Sequence, residues 1–251
     1  DIIDYNFIPD YILDSIADMD IEGCELISDN IRKQFGVYYL FDYDKNTKYR
    51  TGSLSKKLLN YKDYSDDSID YKDECDYFNN ELMKALSVLS NQVIPNNISK
   101  LALVSVPSST VERDALATMR KSINCIENWY DEGKTETDFC CKKEIINCGN
   151  LLTRISDVST SHLSKTQPMF YDVTTSYKYK SRPSYIEHKN SIECSKSEIL
   201  ERDDVAFIIL DDISTRGTVM DACEDILIDN GANKENIYKF ALFKTKWCNN
   251  D

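Results

Sequence analysis

The segment Val205–Gly231 constrains the fold of this chain more than any other stretch of its 251 residues. Six apolar residues, 205–210, run directly into two adjacent carboxylates, Asp211 and Asp212. An unbroken apolar run of this length predicts a strand that is buried on both faces, as in the middle of a parallel sheet. After a short polar loop, apolar residues recur at helical spacing as far as Gly231, which is typical of a helix C-terminus. This order places the loop amides and the helix N-terminus at the carboxyl edge of the sheet, in a geometry that binds phosphate.

A second unit of the same kind lies upstream. The strand Leu101–Val106 is followed by a polar loop, Pro107–Thr110, and by a helical pattern over Glu112–Trp129. Strands that alternate with helices predict a parallel α/β sheet. The other elements predicted in this part of the chain are a helix over Phe78–Ile94 and strands at Leu151–Ile155, Ile192–Cys194 and Ile237–Phe243.

The first 95 residues are predicted to form an accessory, hood-like region on an α/β core of residues 96–251. Two short helices are predicted between Pro9 and Gly36, and a hairpin is predicted from Val37–Tyr43 and Thr47–Arg50. A short helix is expected around Leu58. Because this region is acidic and rich in tyrosine, it also offers a surface for a protein partner.

Composition excludes some classes of function. With 30 basic and 43 acidic residues the formal charge is −13, which argues against a protein that binds duplex nucleic acid, since neutralising phosphates requires a basic face. No apolar run reaches the roughly 18 residues of a membrane span, and no signal peptide is recognised, so we expect a cytoplasmic protein without membrane contact. The nine cysteines include no CxxC pair. Reduced thiols are favoured over a zinc site, for which the candidates are Cys125, Cys140, Cys141 and Cys148.

The sequence of residues 211–218, DDISTRGT, resembles the phosphoribosyl-pyrophosphate loop of type I phosphoribosyltransferases, and most closely that of the ComF-like group. By this resemblance Asp211 and Asp212 would hold the ribose 2- and 3-hydroxyls. The residues that would wrap the 5-phosphate are Thr215, Arg216, Gly217 and Thr218. The chain departs from the usual family pattern at Ser214, Arg216 and Val219. The alternative is an ordinary βα turn in which the two aspartates cap the helix.

The resemblance extends to the upstream unit, where Val106-Pro107 and Arg113 are similar to the pyrophosphate loop of the family. The backbone amides of Ser108, Ser109 and Thr110 would then face the diphosphate, with Arg113 or Arg120 supplying charge. The strand Leu152-Thr153-Arg154 is also similar to a family strand, which implies a catalytic flexible loop within 156–182. Its candidate cations are Lys165, Lys178, Lys180 and Arg182. For this unit too, an ordinary loop with solvated basic residues is the alternative.

The resemblance implies that the chain binds phosphoribosyl pyrophosphate or a ribose-5-phosphate-containing nucleotide. It would transfer the phosphoribosyl group to a nitrogen nucleophile and release diphosphate, with Mg²⁺ as cofactor and no dedicated protein metal cage. Two alternatives stay open. One is a non-catalytic binding subunit of a larger assembly, such as a defence system, and the other is a hydrolase that acts on a nucleotide's glycosidic bond.

Overall fold

A computed structural model gives the conformation of most of the chain. The described residues are 24–28, 30–43, 52–63, 72–114, 117–131, 141–158, 185–215 and 217–245. No helix within these ranges is long and apolar enough to cross a membrane.

A seven-stranded mixed sheet organises the molecule, with the strand order β1-β2-β3-β9-β8-β4-β5. Five neighbouring strands of this sheet are parallel, namely β3 (Val37–Tyr43), β9 (Ile237–Thr245), β8 (Val205–Ser214), β4 (Lys100–Ser105) and β5 (Glu144–Asn147). The antiparallel strands β1 (Cys24–Ser28) and β2 (Ile31–Gln34) continue the sheet beyond β3. A separate antiparallel pair consists of β6 (Leu152–Arg154) and β7 (Ile192–Cys194). The predicted α/β class with a mostly parallel sheet is therefore confirmed.

Six α-helices accompany the strands in the described ranges. They are α1 (Leu54–Asp63), α2 (Lys72–Val88), α3 (Val111–Asp114), α4 (Thr118–Asp131), α5 (Tyr185–Asn190) and α6 (Thr218–Asp229). A π-helical turn, Leu89–Val93, extends α2 and ends before Pro95. Gly231 follows α6 with a φ of 108°, a conformation that favours glycine, as the sequence predicted for this helix end.

The strand β8 is the middle one of the five parallel strands, and both of its faces are apolar. Ala206, Ile208 and Leu210 pack with helices α1, α2 and α4 on one face of the sheet. Val205, Phe207 and Ile209 pack with α6 and with the β6–β7 pair on the other face. Helices thus cover both faces and leave the ends of the strands as the open edges of the sheet.

The prediction of two helices before residue 36 was wrong for the part of that segment that is described, since β1 and β2 form a hairpin there. Apolar residues at Leu26, Ile27 and Ile31 are too few to separate helical from strand spacing in so short a segment. The predicted hairpin partner of β3, residues 47–50, lies outside the described ranges, and β3 pairs instead with β2 and β9.

Strand β5 was not predicted, because its polar residues and flanking cysteines hide a short strand at the edge of the sheet.

The helix predicted over Glu112–Trp129 is divided into α3 and α4. The strands β1, β2 and β3 belong to the same sheet as β4, β8 and β9. The helices α1 and α2 pack in one apolar cluster with β4, β8 and β9.

Candidate functional site

The loops after β4 and β8 both lie at the carboxyl edge of the sheet. Ser105, the last residue of β4, is the register partner of Leu210 in β8, and the Val106 N–H donates to the Leu210 carbonyl oxygen over 2.9 Å. Parallel strands end at the same edge, so the two segments that the sequence analysis singled out lie side by side. This juxtaposition follows from the register of the two central strands.

The acidic pair occupies the end of β8. Asp211 and Asp212 still belong to the strand, and Asp211 is the register partner of Ala241 in β9. The Asp212 N–H donates to Asp211 Oδ1 over 2.9 Å. Burial of the carboxyl group, and next the neighbouring charge of Asp212, raise the pKa of Asp211 to about 7. One member of the pair is therefore poised to gain or lose a proton near neutral pH.

A lysine that the sequence analysis missed completes this cluster. Lys62, in the last turn of α1, places its Nζ 2.6 Å from Asp212 Oδ2. Burial lowers the pKa of Lys62, but the charge of Asp212 more than offsets this effect, and the pKa lies above its ordinary value. A basic residue at a helix C-terminus is ordinarily explained by the helix dipole. No sequence signal linked Lys62 to an aspartate so far along the chain.

The loop after β8 leads directly into α6. Gly217 is buried and has a φ of 79°, a left-handed conformation that favours glycine. It lacks a side chain with which to cap α6, and the N–H groups in the first turn of a helix have no acceptor within that helix. Thr215 and Thr218 flank it and are partly buried. Arg216, also predicted for this cradle, lies outside the described residues.

The loop after β4 is arranged differently, because carboxylates of the chain already accept from its amides. The Ser108 N–H donates to Asp114 Oδ1 over 2.8 Å, and the Val111 N–H donates to Asp157 Oδ1 over 2.8 Å. The Ser109 carbonyl accepts from the Val158 N–H over 3.0 Å. The Thr110 side chain has its Oγ1 buried without a hydrogen-bond partner in the part of the chain that the structure describes.

The two arginines predicted for the diphosphate differ in position. Arg113 is exposed on α3. Arg120, in contrast, is buried in α4, where its Nη2 donates to Asp114 Oδ2 over 2.7 Å and to the Leu152 carbonyl oxygen over 2.8 Å. The suggestion that Arg120 faces a diphosphate was wrong, since its guanidinium is committed to a buried ion pair.

Arg154 holds the loop after β4 from the other side. Its backbone N–H donates to Asp114 Oδ2 over 3.0 Å, and its Nε donates to the Ser108 carbonyl oxygen over 2.6 Å. A further hydrogen bond joins Nη1 to the Ser191 hydroxyl. Burial lowers the pKa of the Arg154 guanidinium. Arg154 thus fixes the shape of the loop rather than facing the edge of the sheet.

Of the predicted catalytic loop, only residues 156–158 are described. The candidate cations Lys165, Lys178, Lys180 and Arg182 lie outside the described ranges, as does Cys140. Within those ranges no three His, Cys, Asp or Glu side chains are placed to hold a metal ion together. No protein-family model matches the chain, and no curated protein sequence is similar to it.

Proposed function

We propose that this chain is a phosphoribosyltransferase-like protein with a type I core, and that it binds phosphoribosyl pyrophosphate or a ribose-5-phosphate-containing nucleotide. One observation carries the proposal. An acidic pair, Asp211-Asp212, ends a buried parallel strand only a few residues before the uncapped N-terminus of α6. Carboxylates that accept from sugar hydroxyls and free amides that bind phosphate are thus combined at one edge of the sheet.

The phosphate and the ribose of the ligand would each bind a different part of this edge. The 5-phosphate would bind the N–H groups at the start of α6, where the helix dipole favours an anion. The vicinal ribose hydroxyls would donate to Asp211 and Asp212. Gly217 has a φ of 79°, which favours glycine, and its lack of a side chain would let a phosphate approach the backbone.

Lys62 influences the charge of the two carboxyl groups that would bind the ribose. Its ammonium lies 2.6 Å from one oxygen of Asp212. At Asp211 the charge of Lys62 only partly offsets burial and the charge of Asp212, and the pKa of Asp211 rises to about 7. A ligand that donates two hydroxyl groups would favour the ionised form of Asp211, since hydrogen bonds to a carboxylate stabilise its charge. Binding of the ribose should therefore release a proton from this site near neutral pH.

The carboxylates of Asp211 and Asp212 are hard oxygen donors of the kind that Mg²⁺ prefers. Burial first, and then the charge of Asp212, raise the pKa of Asp211, and a cation at this edge would offset both effects. Together with oxygens of the ligand the two carboxylates fit a Mg²⁺ ion. When bound, this ion would supply positive charge against the diphosphate.

The reaction that fits this site is a displacement at the anomeric carbon of phosphoribosyl pyrophosphate by a nitrogen nucleophile. The bond from that carbon to the diphosphate oxygen breaks, diphosphate leaves, and the nucleophile forms the new bond to carbon. Positive charge that develops on the ribose lies close to Asp211 and Asp212, so the chain's own contribution is mainly electrostatic.

A second candidate function, a non-catalytic binding subunit, is favoured by the state of the loop after β4. Asp114 and Asp157 already accept from the Ser108 and Val111 amides, which a diphosphate would otherwise use. A protein that only senses a ribose 5-phosphate group needs the loop after β8 and has no need of free amides after β4. The acidic N-terminal region would then offer the surface for a protein partner.

Calorimetric titration of phosphoribosyl pyrophosphate, with and without Mg²⁺, tests the proposed ligand. We expect roughly micromolar, Mg²⁺-dependent binding that the variant Asp211→Asn/Asp212→Asn loses. The chain offers a matched control, since Asp203 and Asp204 precede the same strand at its opposite end. The variant Asp203→Asn/Asp204→Asn should bind like the wild type.

Absence of binding to folded wild-type protein would overturn the proposal, and so would an equal loss in the control variant. Diphosphate release then separates the functions. A transferase releases diphosphate only with a nitrogen acceptor, a hydrolase releases a base from a nucleotide without one, and a binding subunit does neither.

A further inference from the structure

Two polar side chains near the N-terminus of α6 are buried without a partner. Lys244 is 1% exposed and Ser214 is 2% exposed. Neither Lys244 Nζ nor Ser214 Oγ has a hydrogen-bond partner among the residues that the structure describes. An unpaired ammonium is among the most costly groups to bury, and an unpaired hydroxyl adds to the cost. A buried polar group without a partner calls for an explanation, and an ion or ligand that pairs with it is one.

Both side chains leave the sheet on the same face. Ser214 in β8 and Lys244 in β9 are register partners, and partners on adjacent strands project to the same side. The face is the one that α6 covers, because Ser214 Oγ lies only 4.0 Å from where a Cβ of Gly217 would be. Ser214 therefore points at the residue that precedes α6.

The ammonium of Lys244 lies close to the same helix end. Burial lowers the pKa of Lys244, and the one acidic group that acts against this effect is Asp221, in the first turn of α6. The ring of Phe35 covers the ammonium, with its centroid 5.6 Å from Nζ. Phe35 is two residues from Val37, whose Cγ2 would lie 3.4 Å from a Cβ added to Gly217.

Asp221 does not neutralise Lys244. Its Oδ1 accepts from Lys239 Nζ over 2.7 Å, and the same ammonium also donates to Glu224 over 2.6 Å. Lys239 is thus balanced by two carboxylates of α6, whereas Lys244 has none within hydrogen-bonding distance in the described chain. Among the described residues, the Lys244 ammonium thus lies near the N-terminus of α6, which is also positive, without a carboxylate hydrogen-bonded to it.

We propose that Ser214 and Lys244 form the floor of the anion site at the N-terminus of α6, and that Lys244 is the counter-charge of a bound phosphate monoester. The inference rests on the proposed function and adds to it two phosphate-binding residues outside the 215–218 loop. The phosphate would accept from the first amides of α6 and from the Ser214 hydroxyl, and its charge would satisfy the Lys244 ammonium.

This assignment predicts opposite effects of one substitution on stability and on binding. Lys244→Met keeps a long side chain in the same space and removes the uncompensated charge. Replacing a buried charge by an apolar side chain of similar volume is often neutral or stabilising, so the unliganded variant should unfold at the same or a higher temperature. Its affinity for inorganic phosphate and for ribose 5-phosphate should fall roughly tenfold or more, the effect of one charge-assisted hydrogen bond.

The experiment compares wild-type protein, Lys244→Met and Lys100→Met by thermal unfolding and by calorimetric titration with inorganic phosphate, ribose 5-phosphate and ribose. Lys100 is the matched control, since it begins the neighbouring strand β4 at the opposite edge and pairs with Glu144. Lys100→Met should leave all affinities unchanged. Ser214→Ala removes only one oxygen atom and should weaken phosphate binding by roughly threefold, which keeps the test decisive if Lys244→Met does not fold.

The outcomes separate this inference from the proposed function. If wild-type protein binds ribose 5-phosphate and both Lys244→Met and Ser214→Ala bind it equally well, the two residues have no role in the anion site and the inference is overturned. If folded wild-type protein binds neither phosphate nor ribose 5-phosphate, the proposed function itself fails. Binding of inorganic phosphate that depends on Lys244, without binding of ribose 5-phosphate, would support the anion site and overturn the ribose assignment.

Discussion

Two Asp-Asp dipeptides flank the apolar part of β8, and their surroundings differ. At the amino edge, both carboxylate oxygens of Asp204 accept from Arg202, at 2.9 Å each, and one also accepts from Ser99 over 2.6 Å. These hydrogen bonds, with Arg202 first, hold the pKa of Asp204 well below its ordinary range. At the carboxyl edge, burial and the charge of Asp212 raise the pKa of Asp211 to about 7.

One aspartate at each end of this apolar run therefore behaves differently. The fold stabilises the ionised form of Asp204 and penalises the ionised form of Asp211. Asp204 is satisfied by residues close to it in the fold and contributes to structure. Burial and the charge of Asp212 penalise the ionised form of Asp211, and the charge of Lys62 offsets this only in part. Partners, rather than residue type or spacing, distinguish an acidic residue whose charge the fold stabilises from one whose charge it penalises.

A third aspartate tests whether position at the carboxyl edge or the set of partners decides this behaviour. Asp114 lies at the same edge as Asp211, is 5% exposed and accepts from Ser108, Arg120 and Arg154. Asp114→Ala would leave the buried guanidinium of Arg120 unpaired. We expect the free energy of unfolding to fall by about 3–5 kcal/mol, the cost of breaking a buried ion pair, in urea denaturation.

The control for this prediction is Glu112→Ala, an exposed acidic residue of the same short helix. It should change the free energy of unfolding by less than about 0.5 kcal/mol. A small effect of Asp114→Ala would mean that its hydrogen bonds contribute little and that the contrast between satisfied and unsatisfied carboxylates does not hold.

Asp211→Asn should have the next largest effect, with the opposite sign. The unfolded chain loses the Asp211 proton near pH 4, whereas the folded protein loses it near pH 7. Ionisation therefore lowers stability progressively between these two pH values, and the penalty is fully present above pH 7. A difference of about three pKa units corresponds to about 4 kcal/mol, so at pH 8 the substitution should raise the free energy of unfolding by up to about 4 kcal/mol. The gain should disappear below about pH 4.

Urea denaturation of Asp211→Asn at a series of pH values measures this profile. A variant that is less stable than the wild type at every pH would show that the carboxylate of Asp211 is well satisfied in the folded protein. In that case the two ends of β8 would not differ in the way described above.

Lys62→Met sharpens the comparison by removing the one cation that pairs with Asp212 at the carboxyl edge in the described residues. Because the Lys62 charge lowers the pKa of Asp211, we expect that pKa to rise further, by about one unit. Carbon-detected NMR titration of the aspartate carboxyl groups measures it. Lys57→Met, on the same helix, is the control and should leave the pKa unchanged, since Lys57 faces the ring of Tyr77 instead.

The central strands and the helix α6 could be predicted from the sequence because their local signals agree. Six apolar residues, two carboxylates and a helical pattern ending at Gly231 are consistent only with a buried strand followed by a helix. Parallel strands end at one edge, which places the loops after β4 and β8 on the same side of the sheet. The hairpin β1–β2 and the edge strand β5 could not be predicted, since short, partly polar strands are specified mainly by pairing.

The residues of the site that the sequence did not reveal owe their roles to contacts between distant segments. Lys62 and Lys244 are ordinary lysines in ordinary patterns, and only the fold places one beside Asp212 and the other next to α6. Arg120 shows the converse, since a basic residue near a predicted phosphate loop turned out to pair with Asp114. Charge patterns alone do not reveal which cations are already neutralised.

Asp204→Asn should have the smallest effect and completes the contrast. The folded pKa of Asp204 is depressed, so its contribution to stability is present above about pH 4 and is lost as the pH falls below that value. The ion pair with Arg202 is exposed to solvent and such pairs are weak, so at pH 7 the substitution should lower Tm by no more than about 2 °C. At the same pH Asp211→Asn should raise Tm. If both substitutions shift Tm in the same direction, the two dipeptides do not differ in how well the fold satisfies their charge, and the raised pKa of Asp211 would lose its value as a sign of ligand binding.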